Sequence, residues 1–143
     1  MSDAKALVRD MFEEVINQGK VDRVGDYFAA DFVSHGPMGD IRGIEAFKGL
    51  VAAWRGAFPD VHCEVGNLIQ EGDMVAWTVH ATGTNTGDGL GFPATGRRID
   101  TLSANVGRVR DGKAVEHWSE QGMLATLMQV GIVPEMAPPQ TVS

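Results

Sequence analysis

Apolar residues recur every three or four positions in three stretches of the N-terminal part of the chain, and this spacing predicts three amphipathic helices. The first helix ends near Gly19, and the others cover residues 21–28 and 43–58. Between the second and third helices, residues 32–37 form a short strand that stops at a Gly-Pro break. Two helices therefore precede the first strand.

Alternation of apolar and polar residues predicts four further strands, at residues 62–69, 74–82, 99–110 and 113–121. Asp111-Gly112 is typical of a tight hairpin between the last two strands, because both central positions of such a turn favour positive φ. The loop 83–97 is rich in Gly, Thr and Asn, and we expect it to form a flexible lip over a cavity. Gly122 ends the last strand, and residues 124–131 have the spacing of a short C-terminal helix.

The length of 143 residues predicts a single domain, which we place at residues 1–133, followed by a mobile tail at 134–143. The net charge is -7 and the 12 Lys and Arg residues are scattered, so we expect no nucleic-acid partner. The N-terminus lacks a signal-peptide pattern, and no stretch approaches the roughly 20 apolar residues of a membrane span. We therefore expect a cytoplasmic protein with no membrane partner.

The sequence gives no pattern of a metal or nucleotide site. The four histidines lack the spacing of metal ligands, and the Gly-rich loop matches neither a dinucleotide nor a phosphate-binding motif. Cys63 is the single cysteine, which excludes an intrachain disulfide, and we interpret it as an ordinary strand residue. We expect no metal and no cofactor.

Four segments resemble a known family in the family's order. They read FVSHGP at 32–37, RGIEAFKGLVAAWRGAFPD at 42–60, TGTNTGDGLGFPATGRRI at 82–99, and GKAVEHW at 112–118 with MQVG at 128–131. This pattern is similar to the SnoaL-like polyketide cyclase family of the nuclear transport factor 2-like superfamily. The resemblance implies an α+β fold, a cone-shaped barrel of three N-terminal helices packed on a curved, mixed but mainly antiparallel sheet, with a short C-terminal helix. It also implies a homodimer and a small apolar or polyketide-like ligand.

One position departs from the family pattern. The resemblance places an Asp that serves as the general acid/base four residues after Trp118, where this chain has Gly122. The favoured function is a polyketide cyclase-type enzyme that uses cofactor-independent acid/base catalysis, in an aldol cyclisation or isomerisation, on a small cyclic or polyketide substrate in an enclosed apolar pocket. The alternative is a non-catalytic ligand-binding protein of the same fold that has lost the Asp.

Three residues are candidates to replace the missing carboxylate. Asp100 lies among apolar residues of a strand, at a position that the resemblance places against the cavity; pairing with a nearby arginine is the alternative. Glu120 precedes the missing Asp by two residues, with a solvated strand end as the alternative. His35 is a second acid/base or a donor to a carbonyl, unless it is simply solvated. The predicted substrate-binding residues are Trp54, Phe58, His80, Phe92 and Trp118, whereas we expect His117 to contribute to a dimer face.

Overall fold

A computed structural model describes residues 3–136, which form helices α1–α4 and strands β1–β6. The helices are α1 (Ala4–Met11), α2 (Val24–Tyr27), α3 (Ile44–Ala57) and α4 (Met123–Val130). A π-helix, Phe12–Asn17, continues α1, and a short 3-10 helix, Val21–Arg23, leads into α2. The strands are β1 (Phe28–Gly36), β2 (Gly39–Arg42), β3 (His62–Glu71), β4 (Met74–Thr84), β5 (Arg98–Arg110) and β6 (Lys113–Ser119). The predicted α+β class, with helices on a mixed sheet, is confirmed.

The six strands form one open sheet in the order β2-β1-β6-β5-β4-β3. Strand β1 runs parallel to β6, and the other neighbouring strands are antiparallel. The tight turn between β5 and β6 has φ values of 52° at Asp111 and 75° at Gly112, as the residue pair predicts. Long antiparallel pairing of β3, β4, β5 and β6 builds the surface on which the N-terminal helices pack.

The N-terminal end of the sheet differs from the prediction. Strand β1 begins at Phe28 rather than at residue 32, and the register with β6 shifts between Phe28 and Val33. This irregularity hides the period of two, and Phe28 continues the helical spacing of the apolar residues Val21 and Val24. Strand β2 is a short, mostly exposed edge strand without an apolar pattern, so alternation does not predict it.

The helices bury one face of the sheet, which we call the inner face. Phe28, Phe32 and Phe47 form an aromatic cluster with ring centroids 4.3–5.6 Å apart, where α3 meets β1. A further cluster around Phe58 and Ile99 joins the end of α3 to β5 and α4. No helix within residues 3–136 has the length and apolar character needed to cross a membrane.

The loop between β4 and β5 is anchored to the end of α3. Asn85 is fully buried, donates to the Ala57 carbonyl at 3.1 Å and accepts from the Thr95 backbone N–H at 2.8 Å. A Cβ added to Gly87 would lie 1.8 Å from the Gly56 carbonyl oxygen, so the close approach of loop and helix requires glycine here. The tail predicted at 134–143 lies mostly outside the described residues.

Candidate active site

A cavity lies between the inner face of the sheet and the helices α1 and α3. Its volume is about 140 Å³. Most of its lining side chains are apolar. The apolar part of the helical wall consists of Leu7, Val8, Met11, Phe12, Ile16, Phe47, Leu50, Val51 and Trp54, and Arg55 of α3 also lines the cavity. An apolar cavity of about 150 Å³ can bind benzene, so this one has room for about one six-membered ring or an equivalent length of chain.

The opposite wall of the cavity carries a polar stripe. Alternation along β5 and β6 brings five polar side chains to the cavity, and Gln121, in the turn after β6, is the sixth: Thr101, Ser103, Asn105, His117, Ser119 and Gln121. Thr101 and Asn105 are each only 5% exposed. Buried polar side chains require hydrogen-bond partners, so this wall can orient a ligand through hydrogen bonds. The apolar wall can contact the same ligand only through van der Waals interactions.

His117 is the central member of the stripe. Its Nδ1 lies 3.1 Å from Ser34 Oγ and its Nε2 lies 3.0 Å from Asn105 Oδ1. Because an amide oxygen only accepts, Nε2 carries the hydrogen, and Nδ1 accepts from the Ser34 hydroxyl. The ring stacks on Trp77 with centroids 5.6 Å apart and planes inclined by 14°. These contacts fix both the orientation and the tautomer of the imidazole.

The environment of His117 favours the neutral ring. Burial, and to a smaller extent the positive charge of His35, lowers the pKa of His117 from 6.5 to about 4. His117 is one of the residues that line the cavity. At neutral pH the cavity therefore contains an uncharged imidazole held between a hydroxyl and an amide.

The expectation that His117 faces away from the site is wrong, because it assumed that Trp118 points inward. His117 pairs with Gly107, on the inner face of β5. A Cβ on Gly107 would lie 3.2 Å from the Trp77 ring, so this glycine makes room for the ring on which His117 stacks. A glycine inside a long strand often marks such a close approach, and it is the signal from which the inner face of β6 could have been inferred.

His35 and Trp118 lie on the other face of the sheet, which we call the outer face. His35 is held between Glu116 Oε2 and Asp40 Oδ1, both at 2.7 Å, and it stacks on Trp118 with centroids 5.4 Å apart. Hydrogen bonds with Glu116 and then Asp40 raise the pKa of His35 above its usual value. Neither His35 nor Trp118 is among the residues that line the cavity, so their predicted placement there is wrong.

Asp100 and His80 also lie on the outer face. Ile99 and Thr101 face the cavity, so the residue between them points away, and the Asp100 side chain is 75% exposed. Its Oδ1 lies 2.6 Å from His80 Nε2. The expectation that Asp100 faces the cavity is therefore wrong, and its partner is a histidine rather than an arginine.

The remaining predicted residues have separate positions. Glu120 accepts hydrogen bonds from the backbone N–H groups of Gly122 at 2.7 Å and Met123 at 3.0 Å, so its carboxylate caps the start of α4. Phe58 is fully buried in the core, and Phe92 packs against the same cluster. Trp54 lines the cavity and donates to Gln121 Oε1 at 3.3 Å, and its role in substrate binding stays a prediction.

The comparisons with known proteins agree with this architecture. The family described as SnoaL-like polyketide cyclase matches residues 6–130. The chain belongs to the SnoaL-like polyketide cyclase family. It is 32% identical over 135 residues to the aklanonic acid methyl ester cyclase DnrD of Streptomyces peucetius, with 92% of both chains covered. IdmH of Streptomyces antibioticus, a candidate polyketide cyclase, superposes with a TM-score of 0.78 at 31% identity, covering 91% of this chain and 99% of that one. AclR of Streptomyces galilaeus, a candidate hydroxylase, has a TM-score of 0.78 at 28% identity, with coverages of 93% and 83%.

In this SnoaL-like protein, position 122 lies beside the cavity wall although it carries no side chain. A Cβ on Gly122 would lie 3.2 Å from Thr101 Oγ1, and Thr101 lines the cavity. Gly122 has a φ of 62°, in the left-handed region that glycine adopts without strain. The carboxylate that the family resemblance implies at this position would thus lie next to the polar stripe, which includes His117.

Two other side chains along the cavity wall, those of Cys63 and Glu116, could in principle exchange a proton, and they have different environments. Burial raises the pKa of the Cys63 thiol to about 11, so it is not a thiolate at neutral pH. The Glu116 carboxylate bonds to His35 and Arg108 on the outer face. No group of three or more His, Cys, Asp or Glu residues between positions 3 and 136 is arranged to share a metal ion.

Proposed function

We propose that this SnoaL-like protein is a cyclase-type enzyme that performs cofactor-independent acid/base catalysis on a small polyketide-like ketone in the inner cavity. The observation that carries the proposal is the neutral imidazole of His117 in the cavity wall. Cys63 and Glu116 are disfavoured for this step by the thiol pKa and by the outer-face ion pairs. His117 is therefore the proposed proton-transfer group, in place of the carboxylate that Gly122 does not supply.

The proposed reaction is an intramolecular aldol addition. In this proposal the hydrogen bond between Ser34 Oγ and His117 Nδ1 breaks when the substrate binds and the imidazole turns toward the cavity, and Nδ1 then accepts a proton from the carbon next to a carbonyl. The electron pair of the broken C–H bond forms the new C–C bond to a second carbonyl carbon of the same molecule. The oxygen of that second carbonyl then takes the proton back and becomes a hydroxyl group. Atoms and electrons balance without an oxidant, so the product is an isomer of the substrate.

The low pKa of His117 restricts the substrate class. A base with a pKa of about 4 removes protons effectively only from unusually acidic carbon atoms. A carbon flanked by two carbonyl groups has this acidity, and such carbons recur along a polyketide chain. The cavity of about 140 Å³ accommodates one ring or chain end, so we expect the reacting end of a larger substrate to enter first.

The experiment measures cyclisation of two substrates by liquid chromatography and mass spectrometry. One is aklanonic acid methyl ester, named for the relative DnrD. The other is a short acyclic β-keto ester with a second ketone placed to close a six-membered ring. We expect the wild type to form a product of unchanged mass, and His117→Gln to lower the rate by about 100-fold or more. Equal rates with wild type and His117→Gln would contradict the role of His117. Binding without turnover of either substrate would favour the ligand-binding alternative.

We also propose that two copies of the chain associate through the outer face. Leu102 is 70% exposed and Val106 is 36% exposed there, which leaves apolar area that a second copy can cover. Light scattering after size-exclusion chromatography tests this proposal: we expect a dimer for the wild type and a monomer for Leu102→Glu. A monomeric wild type would contradict it. Location in the cytoplasm stays a prediction from the sequence.

A further inference from the structure

The imidazole of His117 has two hydrogen-bonding partners, and both are uncharged. Its Nδ1 accepts from the Ser34 hydroxyl at 3.1 Å, and its Nε2 donates to Asn105 Oδ1 at 3.0 Å. A hydroxyl group can accept as well as donate, and an amide oxygen accepts from either form of the ring. The two hydrogen bonds therefore tolerate a protonated imidazole, and they do not by themselves keep the ring neutral.

No carboxylate within residues 3–136 forms a hydrogen bond with this ring. The helix α1, the π-helix and β4 contribute only uncharged side chains to the cavity lining. The titratable or charged side chains on the other surrounding elements are Arg55 of α3, Cys63 of β3, Glu116 of β6, His35 of β1 and Arg108 of β5. Glu116 is the carboxylate among them, and it is bonded to His35 and Arg108 on the outer face. The ring of His117 thus lacks a negative partner.

Asn105 lies where a negative charge would act directly on the ring. On β5 it comes two residues before Gly107, which pairs with His117, so its side chain reaches the imidazole diagonally. Asn105 is 5% exposed, and its Nδ2 donates to Ser103 Oγ at 3.4 Å, so the amide oxygen is the atom that faces the ring. Asparagine and aspartate have nearly the same shape and differ by one charge. A buried carboxylate at this distance would favour the protonated imidazole, whereas the amide does not.

We propose that Asn105 is a positioning residue that acts through His117, because its uncharged amide fixes the Nε2–H tautomer and leaves the imidazole without a negative partner. The proposal rests on the proposed function in taking His117 as the proton-transfer group. Without a negative partner His117 stays a weak base, which removes protons from acidic carbon atoms and not from ordinary ones. In Asn105→Asp the buried carboxylate would pair with the imidazole and make it a stronger base.

The test measures the protonation of His117 directly, by NMR of the protein with ¹⁵N-labelled histidine. The chain has four histidines, so the ring signals are few, and comparison with His117→Gln identifies those of His117. Asn105→Asp introduces a carboxylate next to the ring. Asn67→Asp makes the same change at an exposed position of β3 and is the matched control.

We expect the wild-type ring to carry its hydrogen on Nε2 and to stay neutral down to about pH 5, since the pKa of His117 is about 4. In Asn105→Asp this pKa should rise by about two pH units or more, and in Asn67→Asp it should not change. A rise of less than about 0.5 pH unit in a folded Asn105→Asp protein overturns the proposal. A wild-type ring with its hydrogen on Nδ1 also overturns it, and this measurement decides the question if Asn105→Asp fails to fold.

The pH profile of cyclisation separates this proposal from the proposed function. The acid limb of kcat/KM reports the base of the free enzyme, so its midpoint should move to higher pH in Asn105→Asp together with the pKa of His117. Structural damage alone would lower the rate at every pH without moving the midpoint. If the NMR titration of His117 moves and the midpoint does not, Asn105 controls the ring as proposed, and the role of His117 as the base is wrong.

Discussion

The neutral state of the half-buried His117 predicts a specific loss of stability in mild acid. The folded-state pKa is about 4, whereas an imidazole in the unfolded chain titrates near 6.5. Between these two values the unfolded chain binds a proton that the folded protein excludes. The contribution of His117 to stability is therefore fully present above pH 6.5, falls as the pH drops toward 4, and changes no further below that value.

The magnitude follows from the difference between the two pKa values. Each pKa unit corresponds to about 1.4 kcal/mol, so the full change amounts to about 3 kcal/mol. This is a large part of the about 5–15 kcal/mol by which a typical domain is stable. His35 acts in the opposite direction. Its pKa is raised, so its contribution is present at low pH and is lost as the pH rises through its folded-state value.

The assay is urea unfolding of the wild type and of His117→Gln at several pH values between 4 and 7.5. Subtracting the two free energies of unfolding removes His35 and every other titrating group that the variants share. We expect the difference to decrease by about 3 kcal/mol from pH 7 to pH 4. A difference that stays constant within about 0.5 kcal/mol would show that His117 is not a buried neutral imidazole, and the cavity-wall account of this residue would fail.

Four substitutions test other parts of the structure. Asp100→Asn removes an exposed hydrogen-bonded pair, so we expect the free energy of unfolding in urea to change by less than about 1 kcal/mol. We also expect an unchanged cyclisation rate. A loss of turnover would show that Asp100 takes part in the reaction. Gly122→Asp should lower the free energy of unfolding by about 1–2 kcal/mol, because position 122 has a left-handed φ. It should also raise the initial cyclisation rate, because it adds a carboxylate beside the cavity. A variant with unchanged stability and an unchanged rate would contradict this prediction. Gly87→Ala forces a collision with the end of α3 and should lower the melting temperature. By contrast, Gly49→Ala in the exposed middle of α3 should stabilise by about 0.5–1 kcal/mol, and similar melting temperatures for both variants would refute the packing of this loop.

The secondary structure could be predicted from the sequence because helices and hairpins leave local patterns. Helix α3 begins and ends within a residue of the predicted boundaries, and the turn at Asp111-Gly112 has the expected backbone angles. The start of β1 and all of β2 could not be predicted, since one contains an irregular register and the other has no apolar pattern. A strand cannot be predicted from the local sequence pattern where only its pairing with a distant strand defines it.

The faces of β5 and β6 could not be assigned from alternation. In β5 the more apolar set, which includes Leu102 and Val106, points outward, whereas Thr101 and Asn105 point into the molecule. A period of two identifies two faces without saying which is inside, and hydrophobicity gives the wrong answer when a cavity needs polar groups. The same inversion placed Trp118 inside and His117 outside. The family resemblance located position 122, but it did not show that His117 is the side chain that faces the cavity near this position.

The most direct test of the account is a crystal structure of His117→Gln with the acyclic β-keto ester bound, because this variant should bind the substrate without converting it. We predict the ligand in the inner cavity, with its acidic carbon next to residue 117. Ligand density on the outer face beside Asp100 and His80, with the cavity unoccupied, would contradict the assignment of the chemistry to the inner face.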